Sequence, residues 1–164
     1  IVASFPIADM NRAYLAMQQI QAVMGSHSKK YMRSCHNDLH NKNIFFDADS
    51  GILSLLDLDY AGISDLFFDL ATFANSLSLN SSETKQLLSS YFEYVTPTIR
   101  DEAHLAMMRL VVRYWYSMWF FSQVGSSTIE HNHLQSAKDD LQDFLCQIDT
   151  LAFKKWLQII TIDT

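Results

Sequence analysis

The feature that most restricts the fold of this chain is the run of residues 35–71, CHNDLHNKNIFFDADSGILSLLDLDYAGISDLFFDLA. It sets His36, Asp38 and Asn43 in one polar segment, follows them with two short apolar runs divided by DADSG, and places Asp57 directly after the second run. The Asp, Ser and Gly of DADSG are turn formers, and residues 43–46 and 51–56 read as two short strands around them. Such a hairpin carries the chain away from Asn43 and returns Asp57 beside it. An amide oxygen and a carboxylate brought together suit magnesium, a hard ion that takes few carboxylates from protein. His36, Asp38 and His40 also permit a rival reading as ligands of a zinc or iron hydrolase centre. No further His-rich motif in the sequence completes that centre.

Helical periodicity governs most of the remainder. Apolar positions Met10, Ala13, Leu15, Met17, Ile20, Val23 and Met24 recur at helical intervals over 9–24, with Asp9 as N-cap and Gly25 with Ser26 as the end. GSHSKK reads as a polar loop in which His27 is merely solvated. Helices are expected over 66–78 and 83–94, the second capped by Ser82 with Leu87, Leu88, Tyr91 and Phe92 on its apolar side. Pro97 separates it from a long helix over 99–124, opened by a Thr98/Asp101 capping arrangement and closed by Gly125. The SSTIEHNH loop and helices over 131–148 and 150–160 follow. With no repeats, low-complexity tracts or linkers, residues 1–164 read as one domain, mainly α with a small β-hairpin.

A chain of 164 residues, 49% hydrophobic and 13% aromatic, is long enough for one substantial core. Its formal charge of -6 argues against a nucleic-acid partner held through phosphate contacts. Cys35 and Cys146 read as reduced, buried thiols of a cytoplasmic protein. The opening IVASFPIADM lacks the basic region of a signal peptide, and no apolar run reaches bilayer length. The nearest candidate, MMRLVVRYWYSMWFF, is interrupted by Arg109 and Arg113 and reads as a buried helix with no membrane span.

The Asp38-to-Asn43 interval equals that of the kinase catalytic loop. The whole stretch resembles the aminoglycoside phosphotransferase and choline kinase superfamily, in which H-x-D-x-x-x-x-N is followed by a hydrophobic-Asp-aromatic segment and a downstream Asp-Leu-Ala. The resemblance implies the C-terminal lobe of a protein-kinase-like α+β fold, and ATP- and magnesium-dependent transfer of a phosphoryl group to the hydroxyl of a small molecule. It implies Asp38 as the catalytic base, His36 as the brace of the catalytic loop, Asn43 and Asp57 as the magnesium ligands that hold the nucleotide, and Asp69 of FDLA as a structural tie. Such chemistry asks mainly for positioning and charge neutralisation, which few residues supply. His36-Asn37-Asp38 resembles the His-Asn-Asp of choline kinases, and the segment from Asp57 to Gly62 resembles their Asp-aromatic-Glu-Tyr. His40 is common in aminoglycoside-type loops. Choline or ethanolamine is therefore the leading acceptor, and an aminoglycoside the next.

On a helix, Tyr116 and Trp119 share a face. Choline kinases carry two aromatics at this spacing that enclose a quaternary ammonium, so the resemblance makes Tyr116 and Trp119 candidate substrate contacts, with core packing as the competing reading. The family's acidic residue several positions after the Asp69 equivalent is missing here, where Phe73, Ala74, Asn75 and Ser76 stand. Asp59 is the candidate to compensate, or else a salt-bridge partner at the hairpin end. The resemblance covers nearly the whole chain, and nothing before Asp9 matches the family's N-terminal lobe with its Gly-containing loop and lysine. A chain opening on Ile reads as a fragment of a longer protein or a naturally reduced one, expected to bind ATP poorly alone. A catalytically silent lobe acting as a binding or interaction module is the alternative function.

Overall fold

The computed structural model describes residues 7–25, 28–93, 96–128 and 130–161. Helix α1 (Ile7–Met24) leads through a 3-10 turn (Ser28–Tyr31) into β1 (Met32–Cys35); a second 3-10 turn (Asn41–Asn43) precedes the hairpin β2 (Ile44–Asp47) and β3 (Ile52–Leu55), and β4 (Gly62–Asp65) follows. Helices α2 (Leu66–Ser76), α3 (Ser81–Tyr91), α4 (Ile99–Gln123), α5 (His133–Ile148) and α6 (Leu151–Thr161) complete the order.

Helix α4 is the centre of the packing. Ala103, His104, Leu105, Met107, Met108, Leu110 and Val112 are buried along it, and α1, α2, α3, α5 and α6 all pack against it. Its apolar residues surround the helix more than they stripe it, as burial between several neighbours requires. The expected capping box holds: Thr98 Oγ1 accepts from Asp101 N–H at 3.1 Å while Asp101 Oδ2 accepts from Thr98 N–H at 2.9 Å. Gly125 follows the helix at φ 79°, a left-handed conformation that glycine adopts without a Cβ penalty. Arg109 staples the α2–α3 turn to α4, its Nε donating to Asn75 Oδ1 at 2.8 Å and its Nη1 to Leu79 O at 3.0 Å and Thr84 Oγ1 at 3.1 Å.

Several local expectations are corrected. Helix α1 begins at Ile7, so Asp9 lies in its first turn and favours the positive end of the helix dipole instead of capping it. The cap of α3 is Asn80, not Ser82: Asn80 Oδ1 accepts from Ser82 N–H and Glu83 N–H, and the Glu83 carboxylate accepts from Asn80 N–H. Cys35 is buried, but Cys146 is exposed on α5. Ser26, His27 and Tyr94 lie outside the described residues.

Two antiparallel ladders frame the polar stretch. The expected hairpin pairs Ile44 with Leu55 and Asp47 with Ile52. Its turn is closed by Asp47, whose carboxylate accepts from Asp49 N–H at 3.0 Å and Ser50 Oγ at 2.6 Å, while Gly51 takes φ 70°. The second ladder, β1 against β4, pairs Met32 with Asp65 and Cys35 with Gly62, and sequence periodicity gives no sign of it. At its end Asp65 caps α2 by accepting from Phe67 N–H at 3.0 Å, and its Oδ2 lies 2.8 Å from Nε2 of buried His104 on α4. This joint sets α2, and with it Asp69, against the loop after β1.

Candidate active site

The loop after β1 is held from below by one carboxylate. Asp69, in the first turn of α2, accepts from His36 N–H through Oδ2 at 2.7 Å and from Asn37 N–H through Oδ1 at 2.8 Å. Two adjacent backbone donors converge on one acceptor because Asn37 is left-handed, φ 63°, a conformation Asn tolerates. Asn37 Nδ2 donates to Tyr60 O at 2.9 Å and ties the loop to the chain entering β4.

His36 is buried, and its Nε2 lies 2.8 Å from Leu56 O. A carbonyl only accepts, so Nε2 carries the proton. Leu56 in turn donates its N–H to Asn43 O at 2.9 Å. Leu56 is thus fixed on both sides, and the next residue is Asp57, exposed and left-handed at φ 59°. Non-glycine residues in that region concentrate where surrounding bonds over-determine the backbone, often at functional sites.

Above this frame, Asp38 and Asn43 meet directly. Asn43, itself buried, donates through Nδ2 to Asp38 O at 2.9 Å and to Asp38 Oδ2 at 3.2 Å. Both bonds use the amide nitrogen and leave Asn43 Oδ1 free to accept or ligate. The other Asp38 oxygen, Oδ1, accepts from Tyr116 Oη at 2.5 Å, a bond spanning the loop and the middle of α4. Burial, then the hydrogen bond and charge of Asp38, push the Tyr116 phenol far above its usual range, so Tyr116 remains a donor. His40 caps the 3-10 turn, its Nδ1 accepting from Lys42 N–H at 3.2 Å. His36 and His40 each spend a ring nitrogen on backbone, and among the described residues no three His, Cys, Asp or Glu side chains are grouped to hold a metal ion. The oxygen donors this stretch offers are Asn43 Oδ1 and, one residue beyond Leu56, the exposed Asp57 carboxylate, both of the hard type that magnesium takes.

A cavity of about 580 Å³ opens at Asp38. Trp115, Tyr116, Trp119 and Phe120 of α4 wall it on one side, and Tyr60 with His40 lines it on another. Both expected aromatics, Tyr116 and Trp119, therefore face the space beside Asp38. Asp59 does not join them; it stays exposed in the 58–61 turn, away from the cavity lining. Sequence reading missed Glu130 and His131 of the α4–α5 loop and His133 at the start of α5, which also line the cavity. The only local signal was the acidic and imidazole content of SSTIEHNH.

A helical lobe carrying an Asp-x-x-x-x-Asn loop, an aspartate returned by a hairpin and an aromatic cleft beside them has the architecture of a kinase-like C-terminal lobe. Residues 8–103 match the phosphotransferase enzyme family, APH, and the chain belongs to that family. It is 30% identical over 91 residues to Protein LicA of Haemophilus influenzae, a match covering 54% of this chain and 33% of that protein. It is 29% identical over 120 residues to ethanolamine kinase 2 of Mus musculus, covering 63% of this chain and 31% of that one. The fold superposes with TM-score 0.85 on a choline/ethanolamine kinase family protein from Mesorhizobium loti, at 14% identity, covering 97% of this chain and 52% of that structure. The chain thus spans about a third of the length of these curated relatives and about half of the solved structure.

Proposed function

We propose that this chain is the C-terminal, acceptor-binding lobe of an ATP- and magnesium-dependent kinase that phosphorylates the hydroxyl of a small amino alcohol, choline or ethanolamine before an aminoglycoside. The observation that carries the reading is Asp38, a carboxylate held at both oxygens by Tyr116 and Asn43 at the mouth of an aromatic cavity. In this role Asp38 accepts the proton of the acceptor hydroxyl, and its fixed orientation removes rotamers that would misplace it. Asn43 Oδ1 and the Asp57 carboxylate are the groups that would hold magnesium, which when bound neutralises charge on the nucleotide phosphates. His36 positions Asp57 through Leu56, and Asp69 positions Asp38 through the loop backbone. Tyr116 and Trp119 receive the acceptor's headgroup.

The same reading assigns the bare hairpin to contact with a nucleotide-gripping lobe. Phe45, Phe46, Ile52 and Leu53 are each more than half exposed, and adjacent strand residues point to opposite faces, so neither face of the hairpin is covered. The greater length of the relatives supports a further lobe as the occupant.

The intact gene product, given ATP, magnesium and a panel of alcohols, is expected to phosphorylate an amino alcohol. Asp38→Ala is expected to lower kcat by about 10²–10⁴, the usual contribution of a general base, while the far-UV spectrum stays near wild type and stability falls by about 3 kcal/mol for the bonds lost from Tyr116 and Asn43. Full turnover in that variant refutes the assigned role. No turnover by the wild-type protein on any alcohol favours the silent binding module.

A further inference from the structure

The cavity beside Asp38 is acidic as well as aromatic, and its second acid comes from an unexpected element. Its lining carries two carboxylates, Asp38 and Glu130, against a single lysine, Lys42. The Asp38 carboxylate is engaged by Tyr116 and Asn43. Glu130 stands differently: it is an exposed residue of the cavity lining, and among the described residues its carboxylate accepts no hydrogen bond and forms no ion pair.

The residues that follow it are anchored. His131 stacks on Phe120 of the aromatic wall with ring centroids 5.4 Å apart, and its Nε2 lies 2.8 Å from Ser136 Oγ. His133 meets His131 edge-on at 4.9 Å and donates its N–H to His131 O at 2.9 Å. These contacts fix His131, the residue next to Glu130, on the aromatic wall of α4. An aromatic wall attracts a cation through the negative faces of its rings, and an unpaired carboxylate in the same lining adds a direct charge.

We propose that Glu130 is the specificity-determining counter-charge for an ammonium headgroup, seated between the α4 aromatic wall and the α4–α5 loop while the acceptor hydroxyl reaches Asp38. This rests on the acceptor-binding role proposed above and adds to it. The acid that the resemblance led one to seek after Asp69 is supplied from about sixty positions further along the chain. The acceptors favoured are alcohols bearing a quaternary or primary ammonium group over neutral alcohols of equal shape.

The test compares choline with 3,3-dimethylbutan-1-ol, its neutral isostere, binding to the intact protein by calorimetry. Wild type is expected to bind choline more tightly. Glu130→Gln keeps size and polarity at an exposed position and is expected to weaken choline about three- to fivefold, the upper range of a solvent-screened charge pair, while changing the isostere less than about 1.5-fold. Wild-type protein that does not discriminate, or a Gln variant that loses both ligands equally or neither, overturns the assignment. Phosphoryl transfer to choline by a Gln variant with unchanged discrimination sinks Glu130's role and leaves the kinase reading intact. Absence of turnover on every alcohol alongside charge-selective binding does the reverse.

Discussion

Replacing Asp69 by Ala removes the carboxylate on which the loop after β1 rests. Its oxygens accept from His36 N–H at 2.7 Å and Asn37 N–H at 2.8 Å. A hydrogen bond to a charged group is worth roughly 1.5–3 kcal/mol net. Asp69 is only half-buried, so water enters the vacated space and the lower end applies, about 3 kcal/mol for the pair. A domain of ordinary stability, about 5–15 kcal/mol, survives that loss folded. The damage is therefore local, because the left-handed Asn37 no longer has an acceptor for its N–H. Asp69→Asn retains one acceptor oxygen and is expected to lose about half as much. Urea unfolding reads the global cost, and amide exchange at His36 and Asn37 reads the local one. Their exchange is expected to accelerate about 10²-fold, the kinetic equivalent of about 3 kcal/mol. A variant that loses under about 1 kcal/mol while both amides stay protected refutes the reasoning and assigns the support to Asn37 Nδ2 on Tyr60 O and His36 Nε2 on Leu56 O.

Two further outcomes are expected away from the loop. Burial pushes the Asp140 carboxyl up to about 6 despite Arg113 Nη1 at 3.3 Å. A folded-state value above the unfolded 3.8 stabilises the fold below pH 3.8 and loses that contribution as pH rises through about 6. Asp140→Asn is therefore expected to be near neutral at pH 4 and to raise stability at pH 7.5 by about 1 kcal/mol, the full shift being discounted for solvent screening, as read from urea midpoints at both pH values. A midpoint that falls at pH 7.5 shows the Arg113 pair outweighing burial. The two thiols should also separate: burial raises Cys35 to about 11, whereas Cys146 is exposed. One equivalent of iodoacetamide at pH 8 should label Cys146, located by peptide mass, and preferential labelling of Cys35 contradicts the packing of β1.

What was legible in the sequence is what local chemistry dictates. Thr98 and Asp101 cap α4 reciprocally because both partners lie within one turn, and DADSG closes the hairpin because Asp47 reaches only three residues ahead. Asn80 took the cap of α3 from Ser82 because the Asn80 and Glu83 side chains satisfy each other's backbone donors, an exchange Ser82 has no partner for at its own third position, Lys85. The β1–β4 ladder was not legible. Met32, Arg33 and Ser34 show no alternation, and their pairing partners lie far along the chain, from Met32 with Asp65 to Cys35 with Gly62. The placement of Asp59 was hidden as well, since its segment is held by the Ala61 N–H to Leu58 O turn, 3.0 Å, and by the distant Asn37, whose Nδ2 donates to Tyr60 O at 2.9 Å.

The candidate site divides along the same line. His36, Asp38 and Asn43 are near one another in sequence, and the structure brings Asp38 and Asn43 into contact, with His36 and Asn43 both holding Leu56, the residue before Asp57. Tyr116 on α4 donates to Asp38 and Glu130 lines the same cavity, both from positions far along the chain, and the Asp65–His104 contact and the Arg109 staple fix α2 against α4. On the proposed kinase reading the motif carries the reaction type, and the helix packing decides which acceptor fits. Substitutions in the loop should alter turnover with any alcohol, and substitutions on α4 or the α4–α5 loop should alter the choice among alcohols. A panel assay that finds both groups of variants changing only the rate, with the order of acceptors preserved, removes that division.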